Sequence, residues 1–484
     1  MSAPAVALSI VAAVVAATVV FALWSARRVK MTPQEFIVGG RSFGTLFLWL
    51  LLAGEVYTSF SFLGAAGWAY GRGAPAYYIL AYGACAYVFG YFLLPRIWRV
   101  AKERNLLTGP DFFTDRYGSR ALGVLIALAQ LVFMIPYVTL QISGLQILLS
   151  IGGYGSFDST AAACVAFLVI ALFVFTAGLR GTAWASVVKD ALVLGAVVFV
   201  GAAIPLHFFG SIPNMFAHLR AVHPEMLTLA PAGKPNGALW YVSTVLLTGA
   251  GFYMGPHSFA AIYSAKGEDV LRRNAVFLPF YQIALMFVFF AGYTALLVAP
   301  GLKGPAADQS FLLVVQRYYA PWVLGIVAAA GTLAALVPAS AQLLATASVV
   351  AKNVLGDGLG LARADGERVL ATRILVLVVA LAALTLWLFE KTTLVELLLV
   401  VYNGITQFLP GVVCAFAWPR ATAWGVGAGI AAGIATVAVL STSATPLGLN
   451  PGFVALVVNV IVLVLVSIAT RSSRGNTPAY RRVD

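Results

Sequence analysis

Charge is what this 484-residue chain has least of, with Asp, Glu, Lys and Arg together making up 10% of it. A soluble enzyme of ordinary composition carries about 25%. With 61% hydrophobic residues and a mean hydropathy of +0.94, the balance excludes that class and implies a polytopic, all-helical membrane protein. Acid is the scarcer sign: 17 Asp and Glu stand against 30 Lys and Arg, a net charge of +13. In a spanning protein that excess gathers in cytoplasmic loops for topological reasons, so no nucleic-acid partner is expected. Cysteine is almost absent. Cys85, Cys164 and Cys414 fall in apolar segments without metal-type spacing and are expected to be small core residues. No metal site is expected from His218 and His223, which lie in a proline-bearing loop. Long polar stretches are missing too. The longest between apolar runs is about 209–238, and the tail after 469 is short and basic. A kinase or receiver domain does not fit there, so the activity is expected within the bilayer and no enzyme or attached sensor is expected.

Windows of roughly 20 apolar residues give about thirteen candidate spans: 4–26, 43–70, 76–98, 121–150, 159–178, 185–208, 239–263, 277–300, 321–351, 370–389, 394–417, 423–441 and 452–470. The first is too long for a signal peptide, and its basic cluster, Arg27, Arg28 and Lys30, follows the run instead of preceding it. With the N-terminus placed outside, 23 of the 30 basic residues fall in inner segments and 6 in outer ones. The positive-inside rule therefore predicts an outer N-terminus and a cytoplasmic C-terminus. The remaining basic residue, Lys189, lies inside span six.

Glu55 is an ionisable residue within span two, where it is costly and needs a reason. Small and hydroxyl residues surround it in Gly54-Glu55-Val56-Tyr57-Thr58-Ser59, the composition of a helix that partly unwinds to bind something. Span seven has a matching interruption, Gly251-Phe252-Tyr253-Met254-Gly255-Pro256-His257. Pro256 is expected to kink or break it. Two interrupted spans five apart are the pattern of an inverted-repeat transporter with its site at the bilayer midplane. Tyr57, Tyr253 and His257 have two readings each, as substrate contacts or as interhelical hydrogen-bonding residues.

The chain resembles the sodium:solute symporter family across roughly 33–420. The resemblance is carried by Phe36-Ile37-Val38-Gly39-Gly40-Arg41, by Phe62 to Tyr70, by Gly251-Phe252-Tyr253 with Pro256-His257, and by Gln342-Leu343-Leu344. Within the family it is similar to bacterial permeases for monocarboxylates such as lactate and pyruvate. The resemblance implies two inverted five-helix repeats, at 43–238 with its outer loop and at 239–420. Residues 1–42 add a helix and loop in front, and 421–484 add two helices and a basic tail. It also implies a substrate site among spans two, three, four, seven and eleven, lined by Tyr57, Thr58, Tyr253, His257, Asn403 and Gln407, with Gln141 nearby. A small carboxylate calls for donors without excess charge, which hydroxyls, an imidazole and freed amides supply.

The family's cation site is where this sequence departs. Its hydroxyl pair, five and four residues before the span-nine glutamine, falls here on Val337 and Pro338, neither of which offers the oxygen a hard cation wants. The backbone half maps to about Gly54 and Tyr57. In span six the family's Trp-Thr-Asp-x-x-Gln appears as Trp184-Ala185-Ser186-Val187-Val188-Lys189. The Lys189 ammonium is expected to stand in for sodium and to couple protons to transport. An ion pair with a carboxylate and snorkelling toward the cytoplasmic end are the alternatives. Glu55 is the expected remote partner, since Asp190 lies about 100° around the helix. The expectation is a bacterial inner-membrane symporter that imports a lactate-, pyruvate- or acetate-like anion with H+ and needs no cofactor. The coupling-ion alternative is Na+ relocated to Glu55, Thr58 or Ser59. Its other partner is the lipid bilayer, and a monomer is expected to suffice.

Overall fold

The computed structural model describes residues 1–26, 33–362, 364–389, 392–443 and 445–470, with the side chains of 23, 25, 26, 33, 36 and 175–180 left out. The cluster at 27–30, Arg363, Lys391 and the basic tail lie outside them, and Arg180 lies among the omitted side chains. The described residues form no strands beyond two isolated bridges. Among the described residues, ten helices are long and apolar enough to cross a bilayer. The pair Thr45–Val56 and Phe60–Arg72, bent by 51°, makes an eleventh span. Ser159–Val174 and Ala238–Gly251 are shorter apolar helices at the expected spans five and seven.

Spans five and six share one helical stretch, Ser159–Phe209, of 51 residues, far longer than one crossing of a core about 30 Å thick needs. Its two ends nevertheless belong to one face of the molecule. Gln146 donates to Ser159 Oγ, the His207 ring packs on Tyr319, and Gln316, three residues from Tyr319, donates to Ile151 O. The chain therefore goes in and comes back between Ser159 and Phe209. Span nine, Pro321–Val349, is the centre of the molecule and is buried along nearly its whole length. Its Ala- and Gly-rich sequence explains that position, because small residues let neighbouring helices approach closely. Cys164, expected in the core, is exposed on the outer surface of the helix bundle.

The break in span two spans Tyr57 to Ser59, and hydroxyls replace the lost helix bonds there. Ser61 Oγ donates to Val56 O, Thr58 N donates to Ser61 Oγ, and Phe60 N donates to Thr58 Oγ1. Ser59 N donates to Gln141 Oε1 of span four at 3.3 Å. Unwinding inside a membrane requires such substitute partners for freed backbone groups. Span seven breaks across Phe252–Gly255, between Ala238–Gly251 and Pro256–Ser264. Pro256 does not kink a helix here; it opens one, at the first position, where its missing donor costs nothing. Gly251 allows the close approach of span eleven, since a Cβ there would lie 1.8 Å from Thr406 Oγ1.

Contacts tie helix ends together at both ends of the molecule. On the face expected to be cytoplasmic, Phe43 bridges to Ser264 and Lys266, Trp98 Nε1 donates to Ala265 O, and Arg99 holds Glu268 through two bonds of 2.6 and 2.7 Å. On the opposite face the rings of Trp68, Tyr78 and Trp240 pack together, and Trp68 Nε1 donates to Thr393 Oγ1.

Candidate functional site

The breaks of spans two and seven meet through Glu55. Its Oε2 accepts from Ser258 Oγ at 2.9 Å and lies 3.7 Å from His257 Nε2. Ser258 and His257 form the first turn of Pro256–Ser264, where backbone amides are free and the helix dipole favours an anion. The largely enclosed Glu55 carboxyl group therefore sits at a helix N-terminus, bonded by a hydroxyl and with an imidazole 3.7 Å away. The His257 ring also packs on Tyr137 of span four, and its Nδ1 has no hydrogen-bond partner.

Next to Glu55 a nearly closed cavity of about 20 Å³, room for one or two waters, is lined by Gly54, Thr182, Ser186, His257, Val337, Pro338 and Gln342. Val337 and Pro338 thus stand in the wall of a buried space opposite the span-two break. Thr182, in the same wall, is bonded through Oγ1 to Ser340 Oγ of span nine at 2.9 Å.

Lys189 is completely buried, which removes the snorkelling alternative. Its partner is Asp190, with Nζ to Oδ1 at 2.6 Å, and not Glu55 as expected. The angular argument failed because the lysine stem is long enough to fold back over its neighbour. Tyr281 of span eight donates to the same Asp190 oxygen at 2.9 Å. Lys189 Nζ also reaches span two, 3.4 Å from where a Cβ on Gly54 would sit. Tyr57 belongs to this group: its hydroxyl donates to Tyr281 O, and the two rings meet edge to face at 4.6 Å.

The remaining expected residues divide. Tyr253 is buried with its hydroxyl unpartnered, its ring against Gly90 and Phe252. Thr58 serves the span-two break, as described above. Gln141 joins that break to Gln342 of span nine, Nε2 to Oε1 at 3.5 Å. Asn403 and Gln407 take their contacts from the helix Pro451–Ala469 instead: Gln407 Nε2 donates to Gly452 O, Asn459 Nδ2 donates to Gln407 O and Oε1, and Asn403 lies against Gly452. Three groups had no sequence signal strong enough to single them out. These are the aromatic cluster Tyr82, Tyr87, Phe252 and Tyr402, the hydroxyl of Ser258, and the Tyr281–Asp190 bond. Aromatic residues are common in membrane helices, and only the fold brings these together.

The profile of the sodium:solute symporter family matches residues 36–433. The uncharacterized symporter YhjB of Bacillus subtilis is 41% identical over 458 residues, covering 92% of this chain and 93% of that one. A monocarboxylate transport permease protein of Rhizobium johnstonii is 28% identical, with 90% of each chain covered. Among solved structures, a Na+-coupled sialic acid symporter in a substrate-bound outward-open state superimposes with a TM-score of 0.79 at 15% identity, over 98% of this chain and 99% of that one. The fold is thus that of a transporter. With two broken helices meeting at a largely enclosed carboxyl group and a family profile spanning most of its length, the chain is a symporter and no enzyme, and it belongs to the sodium:solute symporter family.

Proposed function

We propose that the protein imports a small monocarboxylate of the lactate, pyruvate or acetate type by alternating access, coupled to protons. The observation that carries the coupling is the buried Lys189–Asp190 pair, with its ammonium against Gly54 on one side of a cavity whose span-nine wall includes Val337 and Pro338. Where the family resemblance implies a hydroxyl pair in span nine, this chain has the apolar Val337 and Pro338, with a fixed cation beside Gly54. Lys189 is paired with Asp190 on its own helix, Tyr281 braces that carboxylate from span eight, and its ammonium rests against Gly54, so its proton exchanges when movement between helices strips away Tyr281 and Gly54. That links protonation to the transport cycle.

A carboxylate substrate is supported by the first turn of Pro256–Ser264, which already receives one, that of Glu55. Tyr253 and His257 each keep a polar atom free nearby. The Rhizobium relative's name points to the same substrate class. The charge distribution supports insertion in a bacterial inner membrane with the N-terminus outside. Counterflow in liposomes, with a panel of short acids across pH and with and without sodium, tests substrate and coupling together. Acid-stimulated, sodium-independent exchange of a monocarboxylate is expected, and a strict sodium requirement overturns the proton reading.

A second reading has one observation in its favour. Glu55, Thr182, Ser186 and Gln342 all bring side-chain oxygens to the same cavity, which a relocated sodium ion could use. In that case sodium, and not acid, drives accumulation in the same assay.

A further inference from the structure

Asp308 stands at the face where Trp68 bonds Thr393, in the short helical turn Gly304–Gln309 that follows span eight. It is 1% exposed, unusual for an acid in a connecting segment. Its Oδ2 accepts from the Leu394 amide at 2.9 Å, the first residue of span eleven, while its Oδ1 has no hydrogen-bond partner. The other side of the carboxyl rests on Gly67 of span two. A Cβ there would lie 2.3 Å from Oδ1 and 2.8 and 2.9 Å from the Asp308 backbone, so only glycine admits the contact. One carboxyl thus pins the outer half of span two, the loop after span eight and the start of span eleven. Those three pieces have to separate to admit solute from that face.

We infer that Asp308 is a second proton-binding site, distinct from the Lys189 group, which takes up its proton as this face of the transporter closes and releases it as the face opens. An acid meant only to cap span eleven would be solvated and ionised; this one is enclosed with half its carboxyl unbonded, and burial penalises the charged form. Burial pushes the Asp308 carboxyl up to about 7, aided by the nearby Glu396 carboxylate and opposed by the Leu394 amide. Opened to water, it returns toward the ordinary value of about 3.9. The closed form therefore binds the proton more tightly. As pH falls from about 7 to about 4, the ratio of closed to open rises by up to about tenfold per unit, and it is flat outside that window.

The charged and titratable neighbours leave this sign intact. Glu396 is engaged by Arg72 at 3.5 Å and by the Thr393 amide, both at the same seam. Tyr70 bonds the loop through Ala299 O and Leu302 N. Lys303 and Arg317 are exposed, and Phe60–Gly64, which also packs there, carries no titratable group. Because this proton returns to the face it came from, it gates the cycle and is not carried across. The inference rests on alternating access alone and not on the substrate or on Lys189.

The test needs no substrate. Spin labels at the exposed positions Lys303 and Thr392, introduced as cysteines in a full-length chain with Cys85, Cys164 and Cys414 replaced by alanine, report the separation of the seam in liposomes. The population at the short distance should grow as pH is lowered from 8.5 to 5. Asp308→Asn, neutral at every pH, should hold one distribution throughout, and Asp308→Ser should do the same if the asparagine variant fails to fold. A parent protein without pH dependence overturns the inference, as does a variant that keeps the parent's.

Discussion

Two pairs, Lys189–Asp190 and Glu55–His257, meet span two at the adjacent residues Gly54 and Glu55, and they are built differently. The first sits on one helix, is 2.6 Å long and is braced by Tyr281 from span eight. The second bridges two separate broken helices at 3.7 Å, and the firm bond of its carboxylate is to Ser258. Movement between helices cannot part Lys189 from Asp190, although it can strip away Tyr281 and Gly54. The same movement can separate Glu55 from His257 outright. A self-contained pair supplies a fixed charge, and a bridging pair can be exchanged for something else. Because Asp190 pairs with Lys189, Glu55 is left to Ser258 and His257.

The comparison breaks most severely if one partner of the fixed pair is removed. Asp190→Ala leaves an uncompensated buried ammonium, which costs about 3–5 kcal/mol. Thermal melting in detergent and the amount of protein in the membrane should both fall sharply. Adding Lys189→Met should restore folding without restoring accumulation. Full stability of Asp190→Ala alone would mean the ammonium has another partner.

At the bridging pair the effect should appear in affinity. Tyr253→Phe or His257→Ala should raise the concentration for half-maximal uptake roughly 10- to 150-fold, the loss of one hydrogen bond to a charged group worth about 1.5–3 kcal/mol. Normal kinetics in both variants would remove span seven from the site.

A third pair, between the short helix Gly109–Tyr117 and the end of span nine, sharpens the contrast because it is structural. Lys352 bonds Asp111 at 2.6 Å, and Asn353 and the amides of Leu107 and Thr108 complete the shell. Burial alone would raise the Asp111 carboxyl, but Lys352 and these hydrogen bonds outweigh it and hold the group below its usual range. The stability it contributes is present above the unfolded value of about 3.9 and drains away as pH falls through the lower folded one. Melting temperature should drop in that acid window, and Asp111→Asn should melt lower at neutral pH with a flatter profile. Smaller still is Asn459→Ala, which removes two bonds to Gln407 at about 1 kcal/mol each. It should lower stability and leave half-saturation unchanged, as befits contacts to a peripheral helix.

The two broken spans were legible because glycine, proline and hydroxyl residues mark them, and span lengths follow from apolar runs. Partner choice was not. Lys189 and Asp190 are neighbours in sequence and point apart on an ideal helix, yet a four-carbon stem closes the gap. Asn403 and Gln407 look like site residues on span eleven, but sequence does not say which face the Pro451–Ala469 helix covers. Asp308 carried no signal at all, since an acid in a loop is ordinary until the fold buries it against Gly67.

The central claim is that the Lys189 ammonium stands where a sodium ion would otherwise be held. Its most direct test is uphill accumulation of a monocarboxylate in sodium-free liposomes under an inward proton gradient, comparing the unaltered protein with Lys189→Gln and with Lys189→Gln carrying Val337→Ser and Pro338→Thr. The unaltered protein should accumulate solute without sodium, Lys189→Gln should do no more than equilibrate it, and the triple variant should gain stimulation when sodium is added. Acid-driven accumulation by Lys189→Gln at the unaltered level would contradict the account, as would a sodium requirement in the unaltered protein.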